Sequence, residues 1–262
     1  MLSNELKTSL TKCLKQLHLP IVRACYEEEA DRARREAIIY EYYLAEVMER
    51  EREVRRHNRI QRLLRESKLP LEKSLEAFEM SRLSSMLAAQ ANALIEGFFV
   101  ERSENVLAFG NPGSGKTHLL CAIGRELIQQ GRRVLFAPCS LLVQQLLIAK
   151  RDLKLPRVLK RLSSYDALII DDIGYVQQNR EEVEVLFILL AERYERGSLM
   201  ITSNLPFSKW ERIFKDPMTA VAAMDRLVHH SVILELNLPS YRLEHSKGNR
   251  EHFNAKQYSV RR

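Results

Sequence analysis

A short glycine-rich segment has the residue types and spacing of a phosphate-binding loop. From Gly110 to Thr117 the chain reads GNPGSGKT, which fits the pattern G-x-x-x-x-G-K-[ST] at every fixed position. An apolar run precedes the segment and a helical pattern follows it, as a loop between a strand and a helix requires. The backbone N–H groups of such a loop surround a phosphate, its lysine reaches the β- and γ-phosphates, and its threonine hydroxyl binds Mg²⁺. The residues predicted to contact the nucleotide are Gly110, Asn111, Pro112, Gly113, Ser114, Gly115, Lys116, Thr117 and His118.

A second motif supplies the carboxylates that a nucleotide-bound metal needs. The segment DALIIDD is an apolar strand that ends at Asp171 and Asp172. We expect this strand to lie beside the loop strand in a parallel sheet, because ligands bind at the carboxyl ends of such strands. Asp171 is then predicted to bind Mg²⁺ together with Thr117, and Asp172 to orient or deprotonate the attacking water. The alternative is a buried strand whose polar end only closes a turn.

A third strand also ends in polar side chains. The segment SLMITSN is a short apolar strand that ends at Thr202, Ser203 and Asn204. The Asn204 amide is predicted to hydrogen-bond both the γ-phosphate and the lytic water. An ordinary exit from strand to loop is the alternative, because serine and asparagine are common in turns.

The order of elements around these motifs predicts a three-layer α/β fold with a five-stranded parallel sheet. Residues 1–69 contain one proline and no glycine, and the leucine spacing there indicates a small all-helical domain for DNA or partner binding. Residues 70–262 are predicted to form the nucleotide-binding domain, which ends in a short basic tail. Strands are predicted at 106–110, 133–138, 167–171, 198–203 and 231–236, and helices around 116–130, 141–149, 180–196 and 206–226.

A stripe of arginines in the helical domain is predicted to contact nucleic acid. Between residues 50 and 65 there are seven arginines and two glutamates. Five of the arginines recur every three or four residues and share one helix face, an arrangement that can follow the phosphates of duplex DNA without reading sequence. A solvated face with internal ion pairs is the alternative. The five residues are Arg52, Arg55, Arg56, Arg59 and Arg62. The basic tail from Ser240 onward is either a second polyanion contact or a flexible end.

The composition limits the class of protein. The net charge is +7 and the isoelectric point is near 9.3, which favours contact with a polyanion. No apolar run reaches 18 residues and the N-terminus lacks the apolar core of a signal peptide, so neither a membrane span nor secretion is expected. The four cysteines have neither zinc nor disulfide spacing. We therefore expect reduced thiols, a cytoplasmic protein and no metal other than Mg²⁺.

The loop, the Asp–Asp strand and the asparagine-ended strand, in this order, resemble the Walker A, Walker B and sensor 1 motifs of the AAA+ ATPases. The resemblance implies an arginine finger shortly before the last strand, and Arg226 in the segment MDRL is placed like one. Arg242 resembles a further phosphate-sensing arginine of some members. Asp172 stands where most members have glutamate. Its shorter side chain favours slower hydrolysis, but several initiator-like members resemble this chain in having Asp–Asp, so the turnover rate stays open.

Two features narrow this resemblance. Too few residues follow the last predicted strand for the C-terminal helical lid of most members, so the chain resembles the lidless DnaC/IstB group. Within that group, the segments GNPGSGKTHL, LIIDDIGY and ITSNLPFSKW are most similar to the IstB transposition helpers of insertion sequences. The similarity covers residues 70–247 well and the N-terminal region more loosely. It implies an ATP-driven homo-oligomer on double-stranded DNA, associated with the nucleoid, that supports a cognate transposase at target selection.

Two other functions stay open from the sequence. A helicase loader of the DnaC type would bind a replicative helicase through its N-terminal domain, although the arginine stripe favours DNA there. A small-molecule kinase also uses a phosphate loop, but Asn204, Arg226 and the absence of an obvious lid argue against it. A neighbouring transposase gene would favour the transposition helper, and an ATPase assay with and without duplex DNA would separate the kinase.

Overall fold

A computed structural model describes residues 4–174, 180–206, 209–210 and 225–241. The chain divides into two compact units, Met1–Arg62 and Leu63–Arg262, whereas the sequence placed a boundary after residue 69. None of the described helices is both long and apolar enough to cross a membrane. The helical stretch predicted at 206–226 lies mostly outside the described residues.

The first unit is helical, as the sequence predicted. Its helices are α1 (Asn4–Gln16), α2 (Pro20–Arg35) and the greater part of α3 (Tyr40–Ser67). The proline opens α2 because its fixed φ and missing N–H are tolerated in the first turn of a helix. A small core joins the three helices and consists of Leu14, Val22, Tyr26 and Val47.

A buried carboxylate from α3 closes the start of α2. Glu51 is 3% exposed, and its Oε2 accepts hydrogen bonds from the backbone N–H groups of Ile21 at 2.9 Å and Val22 at 3.1 Å. These N–H groups belong to the first turn of α2, where no carbonyl of the same helix can accept from them. Arg55 donates to the other oxygen of Glu51 at 2.7 Å. The two helices are therefore joined by a charge-assisted contact as well as by apolar packing.

The second unit contains the predicted alternation of strands and helices. A short 3₁₀ turn at Met80–Arg82 and two helices, α4 (Ser85–Ile95) and α5 (Phe98–Glu101), lead into the sheet. All five predicted strands form within one residue of their expected bounds, and α8 is a helix that the sequence did not predict. The further elements are β1 (Asn105–Gly110), α6 (Lys116–Gln129), β2 (Val134–Pro138), α7 (Cys139–Arg151), α8 (Leu155–Ser163), β3 (Ala167–Asp171), α9 (Arg180–Arg193), β4 (Ser198–Ser203) and β5 (Ser231–Leu236).

The five strands form one parallel sheet in the order β2-β3-β4-β1-β5. The expectation that the Asp171 strand lies beside the loop strand is wrong, because β4 lies between β3 and β1. Alternating strands and helices predict a parallel sheet but leave the lateral order of its strands undetermined. The carboxyl ends of β1, β3 and β4 still meet at one edge, since all three strands run in the same direction.

Helices cover both faces of the sheet. On one face α6 packs so closely that a Cβ atom added to Gly124 would lie 2.7 Å from Cδ1 of Ile169 in β3. On the other face the apolar side chains of α7 and α9 pack with the sheet in one core, which includes Leu142, Leu186 and Leu107. The result is the three-layer arrangement that the sequence predicted, with the polar ends of the central strands left open at one edge.

Candidate functional site

The phosphate loop joins β1 to α6 and needs glycine at two of its positions. A Cβ atom at Gly110 would lie 2.2 Å from the Leu236 carbonyl oxygen, and one at Gly113 would lie 2.1 Å from Oγ of Ser240. Both glycines have positive φ, as does Gly115 directly before α6. The N-terminal turn of α6 therefore opens directly from the loop, which is the arrangement that binds phosphate.

The loop lysine is held by three protein oxygens. Lys116 is 6% exposed, and its Nζ donates to the carbonyl oxygens of Gly110 and Asn111, each at 2.8 Å, and to Oδ1 of Asn204 at 2.7 Å. Burial lowers the pKa of Lys116, while the carboxylates of Asp172 and Asp171 oppose that shift. A buried, hydrogen-bonded cation at this place is a ready partner for an anionic phosphate.

Asp171 lies at the centre of a cluster of hard oxygen ligands. Its Oδ1 accepts hydrogen bonds from the hydroxyls of Thr117 and Thr202, both at 2.7 Å. Thr117 lies in the first turn of α6 and Thr202 belongs to β4. The carboxylate therefore joins the helix after the loop to the strand between β1 and β3. Hydroxyl and carboxylate oxygens suit Mg²⁺, which takes oxygen ligands and keeps several waters. The donor set therefore fits the predicted metal.

Asp172 is held in an unusual backbone conformation beside Asn204, the residue that follows β4. Its φ is +66°, in the left-handed region, and its N–H donates to the Thr202 hydroxyl at 2.8 Å. Its Oδ1 accepts from Nδ2 of Asn204 at 3.0 Å. Burial and the neighbouring Asp171 raise the pKa of Asp172 above its usual value, while Lys116 and Asn204 oppose that rise. A raised pKa makes the carboxylate a better proton acceptor.

These side chains line one cavity of about 360 Å³. The cavity also receives residues that the sequence did not single out, from the segment before α4 and from the segment after β5. Phe78 and His118 pack edge to face with centroids 5.3 Å apart, and Nε2 of His118 lies 2.9 Å from the Ser74 carbonyl oxygen. Arg82 lies over the Tyr241 ring at 5.1 Å. Apolar and aromatic walls beside a phosphate loop suit a flat base.

The predicted finger lies elsewhere. Arg226 is not among the residues that line the cavity, and its guanidinium lies 4.9 Å from the centroid of Phe187 on α9. Its Nη1 is buried without a hydrogen-bond partner among the described residues. Arg242 lies outside the described residues. The structure therefore brings Asp171, Asp172 and Asn204 to the loop within one chain but leaves Arg226 apart from them.

The arginine stripe of α3 contains residues in two different environments. Arg55 donates to buried Glu51 and to the His18 carbonyl oxygen, so it belongs partly to the packing of the helical unit. Arg52 pairs with Glu49 one turn earlier, at 2.7 Å. Arg56, Arg59 and Arg62 are exposed on the same helix, and so are Arg52 and Arg55 despite these contacts. The prediction that this face binds DNA stays a prediction.

Comparison with known proteins gives a consistent family. The sequence profile described as IstB-like ATP binding protein matches residues 12–249. A protein of Sinorhizobium fredii, provisionally named an insertion sequence ATP-binding protein, is 43% identical over 230 residues, covering 87% of this chain and 77% of the relative. The insertion sequence IS21 ATP-binding protein of Pseudomonas aeruginosa, also provisionally named, is 37% identical over 246 residues, covering 93% and 91%.

Solved structures show the same fold at lower identity. The DnaC helicase loader matches with a TM-score of 0.53 and 18% identity, over 63% of this chain and 97% of that one. AMPPCP-bound DnaA from Aquifex aeolicus matches with a TM-score of 0.54 and 19% identity, over 71% and 57%. The predicted AAA+ phosphate-loop fold with a five-stranded parallel sheet is thereby confirmed.

Proposed function

This chain belongs to the family of IstB-like ATP binding proteins, and on that premise we propose that it is an ATPase that assembles on duplex DNA and assists the transposase of an insertion sequence. The observation that carries the ATPase activity is the hydrogen-bonded chain from Lys116 through Asn204 to Asp172. It links the cation for the phosphates to the carboxylate for the water, within one cavity.

In the proposed reaction the residues of the cavity divide the work. The N–H groups of the loop and Nζ of Lys116 bind the phosphates of ATP and orient the terminal one. Asp172 accepts a hydrogen bond, and then the proton, from the attacking water. Asn204 donates to Asp172 and would sense whether the γ-phosphate is present, because its oxygen contacts the lysine that binds that phosphate. Thr117 and Asp171 would hold Mg²⁺, which supplies neutralisation of phosphate charge when bound.

The position of Arg226 supports an assembly. An arginine that completes the site of a neighbouring subunit must lie outside the cavity of its own chain, and Arg226 does so. Packing on the Phe187 ring orients its guanidinium, and Nη1 has no hydrogen-bond partner within the described part of the chain. We therefore assign to Arg226 the charge stabilisation of hydrolysis in the neighbouring subunit, which makes turnover depend on oligomerisation.

DNA binding rests on the exposed arginines of α3. Phosphate contacts give affinity with little sequence preference, which suits a protein that marks many different target sites. The proposal of a transposase partner rests on the relatives, whose names tie them to insertion sequences. The likeness to the DnaC loader shows the fold alone, so a helicase partner has weaker support.

A single set of measurements tests the proposed function. Particle mass by light scattering and ATP hydrolysis are measured with ATP, duplex DNA, both or neither, for the wild-type chain and for Lys116→Ala. We expect large particles and full hydrolysis only with ATP and DNA together in the wild type. A monomer that turns over ATP at the same rate with and without DNA would overturn the assembly role, and capture of the cognate transposase rather than a replicative helicase tests the partner.

A further inference from the structure

A cluster of two histidines and one glutamate lies on the surface of the second unit, away from the residues of the ATP cavity. Glu195 follows α9, and His229 and His230 form the turn before β5. One ligand atom from each side chain lies within 4.8 Å of the others, and all three residues are exposed. We propose that these three side chains bind a divalent transition-metal ion, with Zn²⁺ as the best match. The cluster has no motif in the sequence, because the glutamate and the histidine pair are far apart along the chain.

The ligand types decide the class of metal. Two imidazoles and one carboxylate form a set that holds zinc in many proteins and leaves a fourth position open. Imidazole suits Zn²⁺, Ni²⁺ and Cu²⁺, whereas Mg²⁺ prefers oxygen ligands throughout. In a tetrahedral zinc site the ligand atoms are about 3.3 Å apart. Small rotations of these exposed side chains would bring their ligand atoms from within 4.8 Å to that distance.

The backbone that carries the histidines is held in place. Asn105, at the start of β1, donates its backbone N–H to the His230 carbonyl oxygen at 2.7 Å and its side-chain amide to the Leu227 carbonyl oxygen at 3.1 Å. The same side chain accepts from the Leu199 N–H in β4 at 2.9 Å. The turn is therefore hydrogen-bonded to β1 and, through Asn105, connected to β4. A turn fixed in this way loses little entropy when its side chains take up a metal.

The three side chains lie close to one another, and Tyr194 contacts both Glu195 and His229. The two imidazole rings meet edge to face with centroids 4.1 Å apart. The Tyr194 hydroxyl lies 3.4 Å from Nδ1 of His229, which leaves Nε2 of that ring for the metal. Ligating histidines commonly bind an outer-shell group through their other nitrogen, and Tyr194 is in that position. None of the three proposed ligands forms an ion pair with another described residue.

The metal would connect the two elements that the contact between Arg226 and Phe187 already joins. Glu195 follows α9, while the histidines continue the helical turn at 225–228, which includes Arg226. That turn already contacts α9 where Arg226 packs on Phe187. A metal held between the glutamate and the histidines adds a second connection between the same two elements. The binding itself does not depend on the proposed function, whereas any effect on hydrolysis does.

The test is a zinc titration of the full chain without an affinity tag. The chain is stripped of metal with a chelator and titrated with Zn²⁺ against a chromophoric chelator, in excess Mg²⁺ and in a Cys13→Ser background, because that cysteine is exposed. We expect one Zn²⁺ per chain. Loss of an outer-shell group typically weakens metal binding by roughly 10–100-fold. We expect a larger loss of zinc affinity from each change of a direct ligand: His229→Ala, His230→Ala and Glu195→Gln. Co²⁺ in place of zinc should give the intense visible absorption of a four-coordinate site.

Matched controls separate this site from other zinc ligands. His57→Ala removes an exposed histidine on α3 and should leave the zinc affinity unchanged. Thermal melting of each apo variant verifies that the fold is intact. Substoichiometric zinc, or an affinity that His230→Ala leaves at the wild-type value, would overturn the proposal. ATP hydrolysis measured with and without Zn²⁺ then reports whether the metal affects Arg226. Equal rates with and without Zn²⁺ would contradict that effect and would leave the zinc-binding result unchanged.

Discussion

Asn204 donates a hydrogen bond of 3.0 Å from Nδ2 to Oδ1 of Asp172. The oxygen of the same amide accepts from Nζ of Lys116 at 2.7 Å, so one side chain directly after β4 connects the phosphate-binding lysine with the proposed base. A phosphate that draws Lys116 away from Asn204 would alter the contact that orients Asp172. The predictions on the ATP site follow from this three-residue chain.

Lys116→Ala should abolish ATP binding while the chain remains folded. The change removes the buried cation and leaves three protein oxygens without their donor, and polar groups left without a partner cost about 1–3 kcal/mol each when they stay dry. Water can enter the cavity, so we expect the lower end of that cost. Fluorescence titration with a labelled nucleotide measures the affinity. Lys160→Ala, an exposed lysine on α8, is the control, and unchanged affinity in Lys116→Ala would remove the phosphate-loop assignment.

Asp172→Asn should preserve ATP binding and slow hydrolysis by about 10²–10⁴-fold, the usual contribution of a general base. Asparagine tolerates the left-handed backbone of this position, and its oxygen can still accept from Asn204, so the geometry should persist. Single-turnover hydrolysis and nucleotide affinity are measured together. Asp152→Asn changes an exposed carboxylate after α7 and serves as the control. Normal turnover would mean that another group activates the water.

Arg226→Ala should leave nucleotide binding by the isolated subunit unchanged and reduce hydrolysis in the assembly by about a thousandfold or more. Arg196→Ala, which removes a surface arginine paired with Glu192, is the matched control. Mixing Arg226→Ala subunits with Lys116→Ala subunits gives the sharper result, because some interfaces then retain both intact residues. Absence of any recovered activity, in mixed oligomers whose formation is verified, would contradict a shared site.

Arg56→Ala with Arg59→Ala should weaken duplex DNA binding and flatten its dependence on salt. Each lost phosphate contact lowers the log–log slope by about 0.9, so the pair should lower it by about 1.8, equally for different sequences. The structure favours this pair over one that includes Arg55, whose contacts with Glu51 and His18 hold the helical unit together. Arg23→Ala with Arg35→Ala removes the same charge from exposed positions on α2 and is the matched control. Equal salt slopes for both double variants would move the DNA site elsewhere.

Glu51→Gln should destabilise the start of α2, and the loss should depend on pH. Burial raises the pKa of Glu51, but hydrogen bonds from Arg55, Val22 and Ile21 outweigh it, so the pKa lies below the ordinary value of 4.5. A lowered pKa means that ionised Glu51 stabilises the fold above about pH 4.5 and that this stabilisation is lost as the pH falls through the folded-state pKa.

Hydrogen exchange at Ile21 and Val22 measures the effect directly, since their amides donate to the carboxylate. At pH 7 we expect faster exchange in Glu51→Gln, by an amount that corresponds to about 1.5–3 kcal/mol for hydrogen bonds to a charged group. The difference from the wild type should shrink in acid. Glu53→Gln, exposed on the same helix, is the control. A difference that persists unchanged at low pH would mean that ionisation of Glu51 contributes nothing.

The motifs predicted which of their own side chains lie together better than they predicted the surrounding walls. Glycine, lysine and carboxylate at fixed spacing lie in local segments, so the sequence placed Lys116 and Asp171 correctly at one sheet edge. Walls such as Phe78 and Tyr241 come from segments without a pattern, and only the tertiary fold brings them to the cavity. The prediction that β3 lies beside β1 was wrong for the same reason. Local periodicity identifies β3 and β4 as strands, but their neighbours depend on packing across the whole sheet.

The strand order also affects how the chain folds as it is synthesised. β1 lies between β4 and β5 in the sheet, and both of these neighbours leave the ribosome long after it. Asn105 reaches its partner in β4 only 94 residues later, and its partner before β5 only 122 residues later. At about 5–20 residues per second, the first interval alone lasts roughly 5–20 s. During that time the phosphate loop follows an apolar strand whose two neighbours have not yet been made. Nucleotide binding therefore cannot yet stabilise that strand.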